Sequence, residues 1–174
     1  LGIIGYGSIG KRVGDIAQAF GMNVLLYDPY VSEVDVNRPG RHKADLNTLL
    51  AESDFVSCHL KVSPSTKGLM NAERFALMKP TAYFINTSRA AVVDEAALIG
   101  ALREGRIAGA GLDVFEKEPL PKDHPFLHDL ADRVAMTPHI GGATKDAITN
   151  HTTMLLSDID RYFKGEPMLY TYRS

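Results

Sequence analysis

The sequence has no tryptophan and a single cysteine, Cys58. One cysteine cannot close an internal disulfide, so the fold must rest on its core, and this usage suits a reducing cytoplasm. Within its apolar run Cys58 reads as a small buried hydrophobe rather than a nucleophile. No apolar stretch approaches the ~20 residues that span a bilayer. The opening Leu1-Gly2-Ile3-Ile4 is too short for a signal peptide and runs straight into glycine. Neither sign of charge dominates: 19 Lys and Arg face 21 Asp and Glu, a net charge of −2. That balance gives no electrostatic reason to expect a nucleic acid or an anionic membrane as partner. Internal repeats, low-complexity segments and linkers are lacking as well. An initiator methionine is also missing, and the chain opens inside an apolar strand, so residues are expected ahead of Leu1. What remains is ordinary globular composition, 45% hydrophobic and 23% charged over 174 residues, enough for one sizeable core.

The most informative stretch is Gly5-Tyr6-Gly7-Ser8-Ile9-Gly10. It follows a short apolar strand and opens a helix predicted over 8–20, the context in which G-x-G-x-x-G binds a dinucleotide. Gly5 permits the tight turn, Gly7 lets a diphosphate approach the backbone, and Gly10 lets helix and strand pack closely. The first N–H groups of that helix suit an anion. A second buried strand, Asn23 to Tyr27, leads to Asp28, 18 residues past Gly10. A carboxylate at this spacing meets the adenosine ribose hydroxyls and repels a 2′-phosphate, which favours NAD over NADP. Asp28-Pro29 is also good turn chemistry.

Strands and helices alternate along the chain. Strands are expected at 1–4, 23–28, 55–60, 82–86, 108–114 and 134–137, and helices at 8–20, 45–52, 71–78, 94–104 and 144–164, with Asp94 as an N-cap. Residues 29–43 read as a loop with room for one short strand. Ile9, Val13, Ile16, Ala17 and Phe20 recur at helical spacing and predict the core-facing side of the first helix. The class is α/β, a Rossmann-type doubly wound parallel sheet. Its strand ends collect ionisable groups: Asp28, His59, Arg89, Asp113 and His139.

Three ordered motifs then carry a resemblance to a family. Ile85-Asn86-Thr87-Ser88-Arg89 with Val93-Asp94-Glu95, Gly111-Leu112-Asp113 through Glu118-Pro119, and Thr137-Pro138-His139-Ile140-Gly141-Gly142 resemble the D-isomer-specific 2-hydroxyacid dehydrogenases, phosphoglycerate dehydrogenase among them. The resemblance runs from Leu1 to about Gly165. It implies that Arg89 binds the substrate carboxylate, a task suited to a planar fork. It implies that His139 is the acid/base and Glu118 the acid paired with it, a carboxylate beside imidazole stabilising the protonated ring. Only the register Asp113-x4-Glu118-Pro119 selects Glu118 over Glu116. Asp113 matches a residue near the nicotinamide carboxamide, and backbone groups of Leu60, Thr87 and Gly141 match the lining of the nicotinamide and its ribose. Ser8, Ile9, Ser88, Arg89, His139 and Gly142 complete the matched coenzyme contacts.

Two departures stand out. Ala90 replaces a usual glycine after the arginine, and Lys61 replaces a frequent proline. In the family a dinucleotide domain is inserted into a substrate domain built from sequence on both sides. The resemblance therefore implies an NAD-binding domain over 1–165 and a short tail, 166–174, with the substrate domain largely absent and this chain alone a poor catalyst. The implied partner is a small 2-hydroxy or 2-oxo acid. Family members also dimerise through the coenzyme domain, where Phe115, Leu120, Phe126 and Leu127 either serve or simply pack locally. The alternative reading is a dinucleotide-sensing corepressor of the same fold. Glu118 counts against a formate dehydrogenase, which has glutamine there.

Overall fold

The structure is a computed structural model that describes residues 1–170, apart from the side chain of Asp35. The expected tail is therefore described only to Tyr170, and its last four residues lie outside the described residues. The chain divides into two compact units, one spanning Leu1–Pro138 and one running from His139 onward.

The first unit is built on seven parallel strands: β1 (Gly2–Ile4), β2 (Val24–Tyr27), β3 (Arg41–Lys43), β4 (Phe55–Cys58), β5 (Tyr83–Asn86), β6 (Gly109–Leu112) and β7 (Val134–Met136). Their spatial order is β3-β2-β1-β4-β5-β6-β7. Chain order reverses between β1 and β4, which makes the switch point where ligands bind in open α/β sheets. Helices α1 (Ser8–Ala19), α3 (Leu46–Glu52), α4 (Ala72–Leu77) and α5 (Glu95–Arg103) connect the strands. The loop expected at 29–43 contains the short strand β3 and one helical turn, α2 (Glu33–Val36). Side-chain caps set several helix starts: Asp45 accepts from Thr48 N, Asn71 from Arg74 N and Asp94 from Ala97 N. Each satisfies an N–H that the helix itself cannot.

The larger core packs α3, α4 and α5 on the sheet, with Leu49, Leu50, Phe75, Phe84, Leu98 and Leu102 almost wholly buried. Phe75 and Phe84 meet edge to face at 5.2 Å. Burying each such ring contributes about 1.5–3 kcal/mol. A smaller core joins Ile3, Tyr6, Ala17, Val24, Leu26 and Val36 beneath α1.

On α1 the structure corrects the expected face. Its buried residues are Gly10, Gly14 and Ala17. Val13 is half-buried, whereas Ile9, Ile16 and Phe20 are exposed. The reason is the close approach of helix to strand. A Cβ at Gly10 would stand 2.2 Å from the Gly5 carbonyl oxygen, and one at Gly14 would be 3.3 Å from Ile3 Cδ1. The sheet selects the smallest side chains on the helix and turns the large ones outward.

In the loop between β6 and β7 the structure shows local packing, one of the two alternatives the sequence left open. Phe115 and Phe126 are buried in the unit's own core, and Leu120 packs against it. Of the four residues considered for a dimer contact, only Leu127 is exposed. Cys58 is fully buried, and burial pushes its thiol up to about 12, an inert group as expected.

The second unit centres on α6 (Lys145–Phe163), capped by Thr144, which accepts from Ala147 N. Gly165 (φ 70°) ends it. The buried Asp158 carboxylate accepts from the backbone of Leu169 and Tyr170, drawing the chain back along the helix. No helix among the described residues is long and apolar enough to cross a membrane.

Candidate functional site

In the first unit the residues singled out in the sequence lie at or just beyond the carboxyl ends of the strands. Gly5 adopts φ 91°, and a Cβ there would meet the His59 carbonyl oxygen at 2.8 Å and Leu60 Cδ2 at 3.0 Å. The glycine turn therefore abuts the end of β4, bringing Leu60 beside it. Gly7 is the N-cap of α1, with no side chain capping it, and Gly7, Ser8 and Ile9 are exposed. A Cβ at Gly7 would meet nothing within 4 Å. The protein does not itself need glycine there, although it does at Gly5 and Gly10. An uncapped helix start behind a bare backbone is the donor set that an anionic diphosphate requires.

This contrast gives a test. Gly10→Ala is expected to cost about 1–3 kcal/mol, because its methyl would collide with backbone. The melting midpoint should fall by roughly 3–10 °C. Gly7→Ala should leave the midpoint within about 2 °C while weakening NADH binding about tenfold or more. Calorimetry and fluorescence titration of the two variants check this, and equal effects on both properties would refute it.

Asp28 is half-buried, and both its oxygens are engaged. Oδ2 accepts from Tyr6 N at 2.8 Å and Oδ1 from Tyr30 N at 2.9 Å. The carboxylate thus ties the glycine loop to the turn after β2, and each oxygen keeps a lone pair for a further donor. The ribose-binding position and the turn chemistry coexist in one side chain.

At the end of β5, Asn86 is buried and organises the turn. Its Oδ1 accepts from Ser88 N at 3.0 Å and Ser88 Oγ at 2.8 Å, while its Nδ2 donates to Arg89 O at 3.0 Å. Thr87 and Arg89 are exposed, and Arg89 Nη1 donates to Ser88 O at 2.7 Å. Asn86 had no assigned role in the sequence. An asparagine directly before a turn was the available signal. Among the described non-glycine residues only His139 has positive φ, so Ala90 in place of glycine carries no backbone strain.

Asp113 is buried at the end of β6. Its N donates to Asn86 O at 3.1 Å, and its carboxylate accepts from the Thr137 hydroxyl beyond β7. Glu118 lies in the loop that follows, where its Oε1 accepts from Phe115 N at 3.0 Å. His139, Gly141 and Gly142 belong to the second unit. His139 has φ 54°, a left-handed conformation uncommon outside glycine and found disproportionately at functional sites.

His59, just after β4, is partly buried and accepts or donates one bond, Nε2 to Ser57 Oγ at 2.9 Å. Burial holds it below the ordinary histidine value of 6.5. The unfolded chain therefore binds a proton at His59 more readily than the folded chain. Its contribution to stability is complete above about pH 6.5 and declines as the pH falls below that. Melting midpoints should drop on acidification less in His59→Gln than in the unaltered protein, and parallel drops would refute the assignment.

Comparison with known proteins bears on the family and the fold. Residues 1–141 match the model of the family described as D-isomer specific 2-hydroxyacid dehydrogenase, NAD binding domain. A D-3-phosphoglycerate dehydrogenase from Synechocystis sp. is 40% identical over 167 residues, an alignment covering 96% of this chain and 30% of the relative. The crystal structure of D-lactate dehydrogenase with NAD+ from Lactobacillus jensenii superposes with a TM-score of 0.86 at 34% identity, over 99% of this chain and 55% of that one. A D-isomer specific 2-hydroxyacid dehydrogenase from Xanthobacter autotrophicus Py2, in complex with NADPH and MES, gives 0.86 at 37% identity, over 99% and 70%. The chain spans about a third to a half of the length of the curated relatives it matches.

Proposed function

The chain belongs to the NAD-binding domain family of the D-isomer specific 2-hydroxyacid dehydrogenases, and from that premise we propose that it is the coenzyme-binding part of an NAD-dependent oxidoreductase. The reaction interconverts a D-2-hydroxy acid and its 2-oxo acid. The observation that carries this reading is the glycine turn at the β1/β4 switch point, with Gly7 bare and Asp28 held beside it. When bound, NAD(H) accepts or supplies the hydride. The chain's own residues bind, orient and move the proton.

Gly7, Ser8 and Ile9 would hold the diphosphate through backbone N–H groups, and Asp28 the adenosine ribose. Leu60, Thr87, Asp113 and Gly141 are assigned to the nicotinamide half. Arg89 is assigned the substrate carboxylate, because its exposed guanidinium stands on a turn that Asn86 braces. His139 takes the hydroxyl proton in oxidation and returns it in reduction. Glu118 is the acid that supports the imidazole. Motif register supports these three roles.

A partner domain supplied by further sequence completes the substrate cleft, so the chain alone turns over poorly. The relatives named above are oxidoreductases, and nothing in them favours the corepressor reading. The lone buried cysteine supports a cytoplasmic setting. Homodimerisation through this domain belongs to the same proposal; light scattering of the full-length protein checks it, and a monomer would refute it.

The test of function is a hydride-transfer assay on the full-length protein. NADH oxidation with one or more of a panel of 2-oxo acids, including glyoxylate, pyruvate, hydroxypyruvate and 3-phosphohydroxypyruvate, is the expected result. Tight NADH binding with no turnover on any of them would overturn the dehydrogenase reading.

A further inference from the structure

A buried arginine stands on the edge strand of the sheet. Arg41, the first residue of β3, is 3% exposed. Its register partner on β2 is Val24. Charged side chains are rarely buried to this degree unless they are fully paired. Arg41 is paired three ways. Nε and Nη2 donate to Gln18 Oε1, Nη2 also meets Asp15 Oδ1 at 2.6 Å, and Nη1 donates to the Tyr6 hydroxyl. Gln18 and Asp15 are on α1, so the guanidinium clamps the edge strand to that helix. Gln18 Nε2 adds a bond to Pro39 O at 3.1 Å.

The contact with Tyr6 has a different consequence. Tyr6 is the residue between the first two glycines of the loop, and it is 4% exposed. Its ring enters the small core beneath α1, and its hydroxyl ends on Arg41. Its backbone N–H donates to Asp28 Oδ2 at 2.8 Å. One residue therefore joins the buried guanidinium, through its hydroxyl, to the Asp28 carboxylate, through its backbone N–H. A loop with glycine on both sides of Tyr6 has little stiffness of its own. The tyrosine anchor supplies what the glycines lack.

We propose that Arg41 and Tyr6 are positioning residues for the adenosine half of the coenzyme, holding Asp28 in the orientation that discriminates NAD(H) from its 2′-phosphorylated counterpart. The inference rests on the coenzyme site assigned above. Neither residue is assigned a contact with the coenzyme. Both act through the Tyr6 backbone. Discrimination depends on where the carboxylate charge stands relative to the 2′ position, because repulsion of a phosphate and hydrogen bonding to a hydroxyl both fall steeply with misplacement. A purely structural clamp would affect stability and leave discrimination unaltered.

The experiment uses the full-length protein with Tyr6→Phe, Arg41→Leu and the double variant. Dissociation constants for NADH and NADPH are measured by fluorescence titration, alongside melting midpoints. Tyr6→Phe removes a single oxygen and keeps the ring, so it remains informative if Arg41→Leu fails to fold. The expected result is NADH binding weakened by about 3- to 10-fold, the size of one lost hydrogen bond. NADPH should weaken less, so the NADH preference shrinks. The double variant should bind NADH no worse than Arg41→Leu alone, because both changes remove the same Tyr6–Arg41 contact. An unchanged preference in Tyr6→Phe, with or without a lower midpoint, would overturn the inference. Failure of the unaltered protein to bind NADH would instead overturn the coenzyme assignment on which it rests.

Discussion

Replacing His139 with asparagine in the full-length protein is expected to lower kcat by about 10²- to 10⁴-fold, the usual contribution of a positioned general acid–base. Asparagine keeps a polar group of similar reach and can still hydrogen-bond a substrate hydroxyl or carbonyl. It cannot exchange a proton near neutral pH. The loss should therefore fall on turnover far more than on NADH affinity, which reports mainly on the glycine loop and Asp28. His139 stands at φ 54°, and asparagine is among the few residues that tolerate that conformation. The substitution thus isolates proton transfer from backbone strain. Steady-state kinetics with a reactive 2-oxo acid, paired with an NADH titration, checks it. A kcat within about tenfold of the unaltered protein would remove His139 from the acid–base role.

Arg89→Lys is expected to cost about 10²- to 10³-fold in kcat/KM with the 2-oxo acid. The charge is kept, so the prediction concerns shape. A guanidinium offers two parallel donors to a carboxylate, whereas an ammonium is a point donor on a flexible stem. A hundredfold loss corresponds to about 2.7 kcal/mol, within the ~1.5–3 kcal/mol of one charge-assisted hydrogen bond, and lost orientation carries it toward a thousandfold. The brace under Arg89 does not depend on its side chain, because Asn86 holds the turn through Ser88 and the Arg89 carbonyl. The melting midpoint should accordingly stay close to that of the unaltered protein. A lysine variant with undiminished kcat/KM would show that a point charge suffices there and would refute the bidentate role of Arg89.

Much of the fold was legible because its signals are local. Apolar runs separated by capped helices announce alternating strands and helices, and Asp94 caps α5 as expected. The glycine loop carries its spacing in the chain itself. The misreading of α1 is equally instructive. Helical periodicity weighs hydrophobicity, so it chose Ile9, Ile16 and Phe20 for the core. Contact with the sheet weighs size: it kept Ala17, which periodicity also placed inward, and took Gly10 and Gly14. Phe115 and Phe126 sit in a stretch of charge and proline that left a partner contact and local packing equally open. They fill the core because the loop folds back onto the sheet. Arg41 gave no local sign of burial, since its partners lie 23, 26 and 35 residues away.

The sequence by itself determined the α/β class, the family, the dinucleotide loop and the identity of Arg89, Glu118 and His139 as the residues to test. These follow from residue types at short, ordered spacings, which a linear chain displays directly. Only the tertiary structure decided which side of α1 meets the sheet, that among the three loop glycines Gly7 is the one the protein does not need for itself, and that Asp28 is held by the backbone of Tyr6, whose hydroxyl meets a buried arginine. Those outcomes depend on distances between segments far apart in the chain, where steric fit and pairing of buried polar groups, rather than local preference, select the arrangement.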